Sequence, residues 1–138
     1  MSVPGEGKND MNKRKIGSAW EEAAVCYLQR AGVCILARNF KCSQGEIDII
    51  GYHHDCLVFF EVKYRKDDQF GKPEEAVGIA KQEKISRCAL FYLQYHGGLN
   101  QAIRFDVLAI CGEKISWYQN AFPYRKYRRR REGLGTWN

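Results

Sequence analysis

The chain has 138 residues, enough for one packed domain and short of two, and 45% hydrophobic with 13% aromatic content suits a globule with a real core. No apolar run approaches the roughly 20 residues of a membrane-spanning helix, and the polar start from Met1 to Lys15 lacks the apolar stretch of a secretory signal, so the expected location is the cytoplasm, away from any membrane. The net charge of +6 is concentrated at one end: Arg125, Lys126, Arg128, Arg129, Arg130 and Arg131 leave residues 1–124 with only +1, which argues against a domain that is basic throughout.

Residues 1–15 read as a disordered N-terminal segment, 16–122 as the folded domain and 123–138 as a basic tail. From Ser18 to Ala31, Trp20, Ala23, Ala24, Tyr27, Leu28 and Ala31 recur at helical spacing, and Gly32 is placed to end the helix. Ser18 with Glu21 three residues on is a capping-box pattern, which predicts that the helix begins there. Val33 to Phe40 reads as a strand, Lys41 to Gly45 as a turn, and Glu46 to Gly51 as a second strand. After a polar loop at Tyr52 to Asp55, a third strand runs from about Cys56 to Tyr64. Connections this short predict an antiparallel meander.

Asp67 to Pro73 reads as a charged loop. A long helix is expected from about Pro73 to Tyr95, with Val77, Ile85, Ala89, Tyr92 and Leu93 inward and Lys81, Glu83, Lys84 and Arg87 toward water. Two strands, Ile103 to Cys111 and Ile115 to Gln119, follow around a Gly112-Glu113 turn. Helix, three-strand meander, helix and two strands predict a mixed α/β sheet flanked by helices. The six cysteines, Cys26, Cys34, Cys42, Cys56, Cys88 and Cys111, form no C-x-x-C pair, which argues against zinc and for reduced, mostly packing thiols.

The chemistry concentrates in Gly45-Glu46-Ile47-Asp48-Ile49-Ile50 and Leu57-Val58-Phe59-Phe60-Glu61-Val62-Lys63. Residues two apart in a strand share a face, so Glu61 and Lys63 emerge together from an otherwise apolar segment, with Asp48 one hairpin away. Two readings are open: carboxylate and ammonium satisfy each other at a strand end, or Asp48 and Glu61 ligate Mg²⁺ or Mn²⁺ with Lys63 beside the attacking water. Glu46 shares the parity of Asp48 and is either a third acid or a solvated turn residue. His53 and His54 read as polar loop residues. Lys81 can reach a phosphate or lie on a solvated helix face, Arg104 and Asp106 share a strand face and can pair, and Tyr64 and Arg65 can line a substrate path. The arginine run is either a phosphate-neutralising segment, with Tyr124 and Tyr127 for stacking, or a solvated end.

The two motifs resemble the PD-(D/E)-x-K, restriction-endonuclease-like superfamily and, within it, the small YraN-like proteins. Further matches to the latter are Gly17 with Trp20-Glu21, Tyr27-Leu28, Arg38-Asn39, Phe70-Gly71, Lys81, Arg104-Phe105-Asp106-Val107 and Asn120-Ala121-Phe122, covering Gly17 to Phe122 in order. Ile47 stands where the superfamily label has proline. The resemblance implies a core like that of tRNA endonucleases or Holliday-junction resolvases, and hydrolysis of DNA, including branched or processed DNA. By position it implies Asp48 and Glu61 as ligands of Mg²⁺ or Mn²⁺, Lys63 as catalytic lysine and Glu21 as an additional helix carboxylate. Arg65, Lys81 and the basic tail residues from Arg125 to Arg131 are the expected nucleic-acid contacts. Because resolvase-like relatives cut two strands, the resemblance also makes a homodimer plausible. The alternative, from a different class, is a nucleic-acid-binding module that keeps the fold and the arginine tail without the chemistry.

Overall fold

The computed structural model of the chain describes residues 6–66 and 76–126. The expected loop at 67–73, Tyr127 and Arg128 to Arg131 lie outside them. The elements are α1 (Glu6–Arg30), β1 (Cys34–Cys42), β2 (Gly45–His53), β3 (Cys56–Tyr64), α2 (Ile79–Tyr95), β4 (Ile103–Cys111) and β5 (Lys114–Phe122). The strands form one sheet in chain order, antiparallel except for β3 beside β4, which run parallel across the α2 crossover. This is the mixed sheet with two helices that the sequence order predicts.

The helices cover opposite faces. On one, Ile50, Leu57, Phe59, Phe105 and Val107 pack with Ile85, Ala89, Tyr92 and Leu93 of α2; on the other, Ile49, Val58, Phe60, Leu108 and Ile110 pack with Ala24, Val25 and Leu28 of α1. Strand alternation therefore serves two cores at once, which explains why β3 and β4 are apolar at nearly every position.

Two local expectations are corrected. The α1 helix begins at Glu6, so Ser18 is an interior position and not the helix start, and most of the segment expected to be disordered is helical. Its C-terminus does behave as expected: Gly32 has φ +97°, its N–H donates to the Gln29 carbonyl at 3.1 Å, and the Val33 N–H donates to the Leu28 carbonyl at 2.9 Å. These are the two bonds of a Schellman motif, which glycine permits without steric cost. The second correction is at the β2–β3 turn. His54 and Asp55 both have positive φ and make a two-residue turn, leaving His53 in the strand and buried. Asn-Gly is the usual signal for such a turn, and His-Asp conceals it. Gly51 is also constrained, since a Cβ there would lie 2.7 Å from Val33 Cγ1 and 2.8 Å from the Cys34 carbonyl oxygen.

Candidate functional site

The site begins where β2 leaves β3. Their pairing runs from His53 opposite Cys56 to Ile49 opposite Phe60 and stops one residue short of Asp48 and Glu61. Ile47 and Ile49, two residues apart, lie in the two different cores, so β2 loses its alternation at Asp48. The Asp48 carboxylate takes the place of a ladder partner: its Oδ2 accepts the Val62 N–H at 2.8 Å. Glu61 keeps its parity with Leu57 and Phe59, faces α2, and is only 6% exposed. There its Oε2 pairs with Lys81 Nζ at 3.1 Å, from the first turn of α2.

These residues lie in a cleft of about 690 Å³, among whose walls are Lys41, Glu46, Asp48, Glu61, Lys81 and Lys84. Three carboxylates thus face three ammonium groups. Burial, then the charge of Glu61, push the Asp48 carboxyl up to about 7, with Glu46 adding to the rise; the Val62 N–H and Lys81 act in the other direction. Burial alone would lower the Lys81 ammonium, but Glu61, by charge and hydrogen bond, together with Asp48 and Glu46, hold it above its ordinary value.

A carboxyl that gives up its proton so reluctantly beside a second, buried carboxylate is short of positive charge. Two hard oxygen donors from neighbouring strands, opening onto a cleft, suit Mg²⁺ or Mn²⁺, which needs few protein ligands and keeps several waters. Among the described residues no set of three or more His, Cys, Asp or Glu side chains gathers as a metal cage, so a cation here would rest on Asp48 and Glu61. Lys81 is the cation that the chain itself supplies to them. Replacing it with methionine is expected to destabilise the metal-free protein by about 1–2 kcal/mol in urea unfolding, since Glu61 would be buried without its partner.

The structure thus brings Asp48, Glu61 and Lys81 together. Lys63 is half-buried on β3, is not among the residues lining the cleft, and makes no ion pair with the described residues. Glu21, on α1, accepts a hydrogen bond from Asn39 Nδ2 at 3.2 Å and also lies outside the cleft. Arg65 is exposed just past β3, its N–H donating to the Ile110 carbonyl at 2.8 Å. Arg125 is tied down: its N–H donates to Ser86 Oγ at 2.9 Å and its guanidinium Nε to Gln82 Oε1. Lys126 is exposed.

Lys41 and Lys84 are cleft residues that sequence reasoning misses. Register holds a signal for the first, since Lys41 stands opposite Glu46 in the β1–β2 hairpin, and helix spacing for the second, which follows Lys81 by one turn. Of the cysteines, all free, only Cys88 is fully buried, so the expected packing role fits it best. Burial and the neighbouring Cys42 raise its thiol to about 12, leaving it unreactive.

No helix among the described residues is long and apolar enough to cross a membrane. The family model described as "Uncharacterised protein family UPF0102" matches residues 20–110. The UPF0102 protein of Photobacterium profundum is 43% identical over 80% of this chain and 91% of its own length. That of Caldicellulosiruptor saccharolyticus is 43% identical over 72% and 85%, and that of Vibrio campbellii 45% over 80% and 93%. The matched span contains every carboxylate and lysine of the cleft, and the chain belongs to the UPF0102 family.

Proposed function

We propose that this protein is a metal-dependent nuclease of the PD-(D/E)-x-K kind that hydrolyses DNA phosphodiester bonds in the cytoplasm. The observation that carries the reading is the pair Asp48 and Glu61, drawn from separate strands, the first half-buried and the second buried, side by side in a charged cleft. Asp48 and Glu61 would hold Mg²⁺ or Mn²⁺, which when bound neutralises phosphoryl oxygens and acidifies a water. The chain's own residues account for substrate binding. Lys41, Lys81 and Lys84 supply ammonium groups at the cleft wall for the scissile and neighbouring phosphates, and Lys63 near the end of β3 and Arg65 just past it add positive charge outside the cleft. Asp48, held by the Val62 N–H, is fixed in place before any ligand arrives, so little ordering remains for binding to impose.

A second reading, a binding module without turnover, draws on the Lys81–Glu61 ion pair, which balances part of the acidic charge without metal. Cleavage of single-stranded, duplex and four-way DNA with Mg²⁺ or Mn²⁺ separates the two. Wild type is expected to cut, Asp48→Ala to lose roughly 100-fold or more, and Lys63→Ala and Lys81→Ala to lose smaller factors. Equal rates in wild type and Asp48→Ala would mean a contaminating nuclease and end the proposal.

A further inference from the structure

A second groove, of about 370 Å³, adjoins the acidic cleft. Gln44 lines both, and the α2 face continues from Lys84 and Ile85 in the cleft to Arg87 and Phe91 in the groove. Across from α2, Tyr124 and Lys126 complete the wall. Phe91 is 45% exposed and Tyr124 44%, two large rings partly open to solvent. Their bases for position differ: Phe91 leans on Tyr95 and Phe40, with ring centroids 5.4 and 6.4 Å away, while Tyr124 belongs to the segment after β5.

That segment is held by an independent feature. Gln82 and Ser86 are buried polar side chains of α2, at 1% and 0% exposure, and Arg125 is bound to both. Two buried polar groups in a helix that otherwise buries apolar ones need a reason. Here they fasten 123–126 across α2, which sets Tyr124 and Lys126 beside Phe91 and Arg87.

We propose that this groove binds single-stranded nucleic acid, bases stacking on Phe91 and Tyr124 and phosphates meeting Arg87 and Lys126, with the strand continuing into the acidic cleft. This rests on the nuclease reading and names its substrate class. Exposed rings beside cations are how sequence-tolerant single-strand sites are built, because every base has a face to stack. A duplex hides those faces and presents phosphate alone. From Lys84 to Phe91 the helix rises about 10 Å, so one strand can occupy groove and cleft together.

The test is fluorescence anisotropy of the full chain with labelled oligo-dT, oligo-rU and a hairpin duplex of equal length. Ca²⁺ replaces Mg²⁺ to suppress cleavage. Oligo-dT or oligo-rU is expected to bind at least ten-fold tighter than the hairpin, and their comparison shows whether the sugar matters. Phe91→Leu and Tyr124→Leu keep apolar bulk and lose the aromatic ring. Each is expected to weaken single-strand binding by roughly ten-fold and leave hairpin binding unchanged. Lys126→Glu should weaken both and flatten the salt dependence. Leucine variants that bind oligo-dT and oligo-rU like wild type, or a hairpin bound as tightly as either, would overturn the groove. The two proposals fail separately: wild type that binds the single strand but never cuts leaves the groove standing, and cleavage with unaffected leucine variants leaves only the nuclease.

Discussion

Asp106→Ala is expected to lower the unfolding free energy by about 3–5 kcal/mol, the range for removing one partner of a buried ion pair. Asp106 is fully buried and accepts from four groups. Arg104 Nε reaches its Oδ1 at 2.9 Å and Arg104 Nη2 its Oδ2 at 2.8 Å; Trp117 Nε1 donates to Oδ2 and the Asn120 N–H to Oδ1, each at 2.8 Å. The last bond depends on Asn120 having φ +55° at the β4–β5 irregularity, so the carboxylate also holds the shape of the edge strand. Arg104 Nη2 makes a further bond, 3.0 Å from His53 Nδ1. Since a guanidinium only donates, Nδ1 must accept and the ring must be neutral with its proton on Nε2. Burial, then His54 and Arg104, lower the His53 value, against an upward pull from Asp106. Truncating Asp106 therefore leaves a cation, an indole N–H and a backbone N–H without their acceptor. Urea unfolding with an unchanged slope would confirm the mechanism, and a loss below about 1 kcal/mol would refute it. Asp106→Asn should lose less, keeping one acceptor while setting an NH₂ group against donors. Neither change should alter binding at the acidic cleft, which faces α2 while Asp106 lies on the α1 side.

How much of this is legible in the sequence depends on the range of the interaction. Apolar and β-branched runs bounded by turn residues locate all five strands, and helical spacing identifies the inward face of α2, because those signals lie within a few residues. The acidic pair is legible for the same reason: an Asp and a Glu interrupt apolar strands joined by a short turn. The N-terminal boundary fails because Ser-x-x-Glu, though favoured at helix starts, can also lie inside a helix, and only the preceding turns decide which. His53 reads as a loop residue because the His-Asp turn lacks a glycine. Partners that meet through the α2 crossover are beyond sequence pattern. Lys81 as the ammonium of Glu61, and Gln82 with Ser86 as anchors for Arg125, depend on where a helix lands on a sheet. Lys63, the lysine that Glu-x-Lys spacing promotes, shares the strand parity of Glu61, but parity does not decide which residue reaches the cleft.

The Asp48 carboxyl gives the second large expectation, and its sign can be worked out. In the unfolded chain it ionises near 3.8, and in the folded protein at about 7. Between these values the folded state holds a proton that the unfolded state has lost, so this group's contribution falls as pH rises from about 4 to 7 and stays low above that. His53 works in the opposite direction: its lowered value makes protonation favour unfolding, so its contribution is complete above the ordinary 6.5 and is lost as pH falls. The total pH curve therefore mixes the two, and Asp48→Asn isolates one. Asparagine keeps an acceptor for the Val62 N–H and removes the charge, so at pH 8 without metal it is expected to be more stable than wild type by about 3 kcal/mol. The full shift corresponds to about 4 kcal/mol at 1.36 per unit, and the amide recovers less because it is itself polar and desolvated. At pH 4 the difference should nearly vanish. Mn²⁺ should reverse the order at pH 8, stabilising wild type and leaving Asp48→Asn unchanged, because a cation binding only the folded carboxylates adds its binding free energy to stability. Titration calorimetry at pH 6.5 in buffers of differing ionisation heat should show wild type releasing protons as Mn²⁺ binds. A wild-type and Asp48→Asn stability difference that does not change between pH 4 and pH 8 would show that the unfavourable charge resides elsewhere.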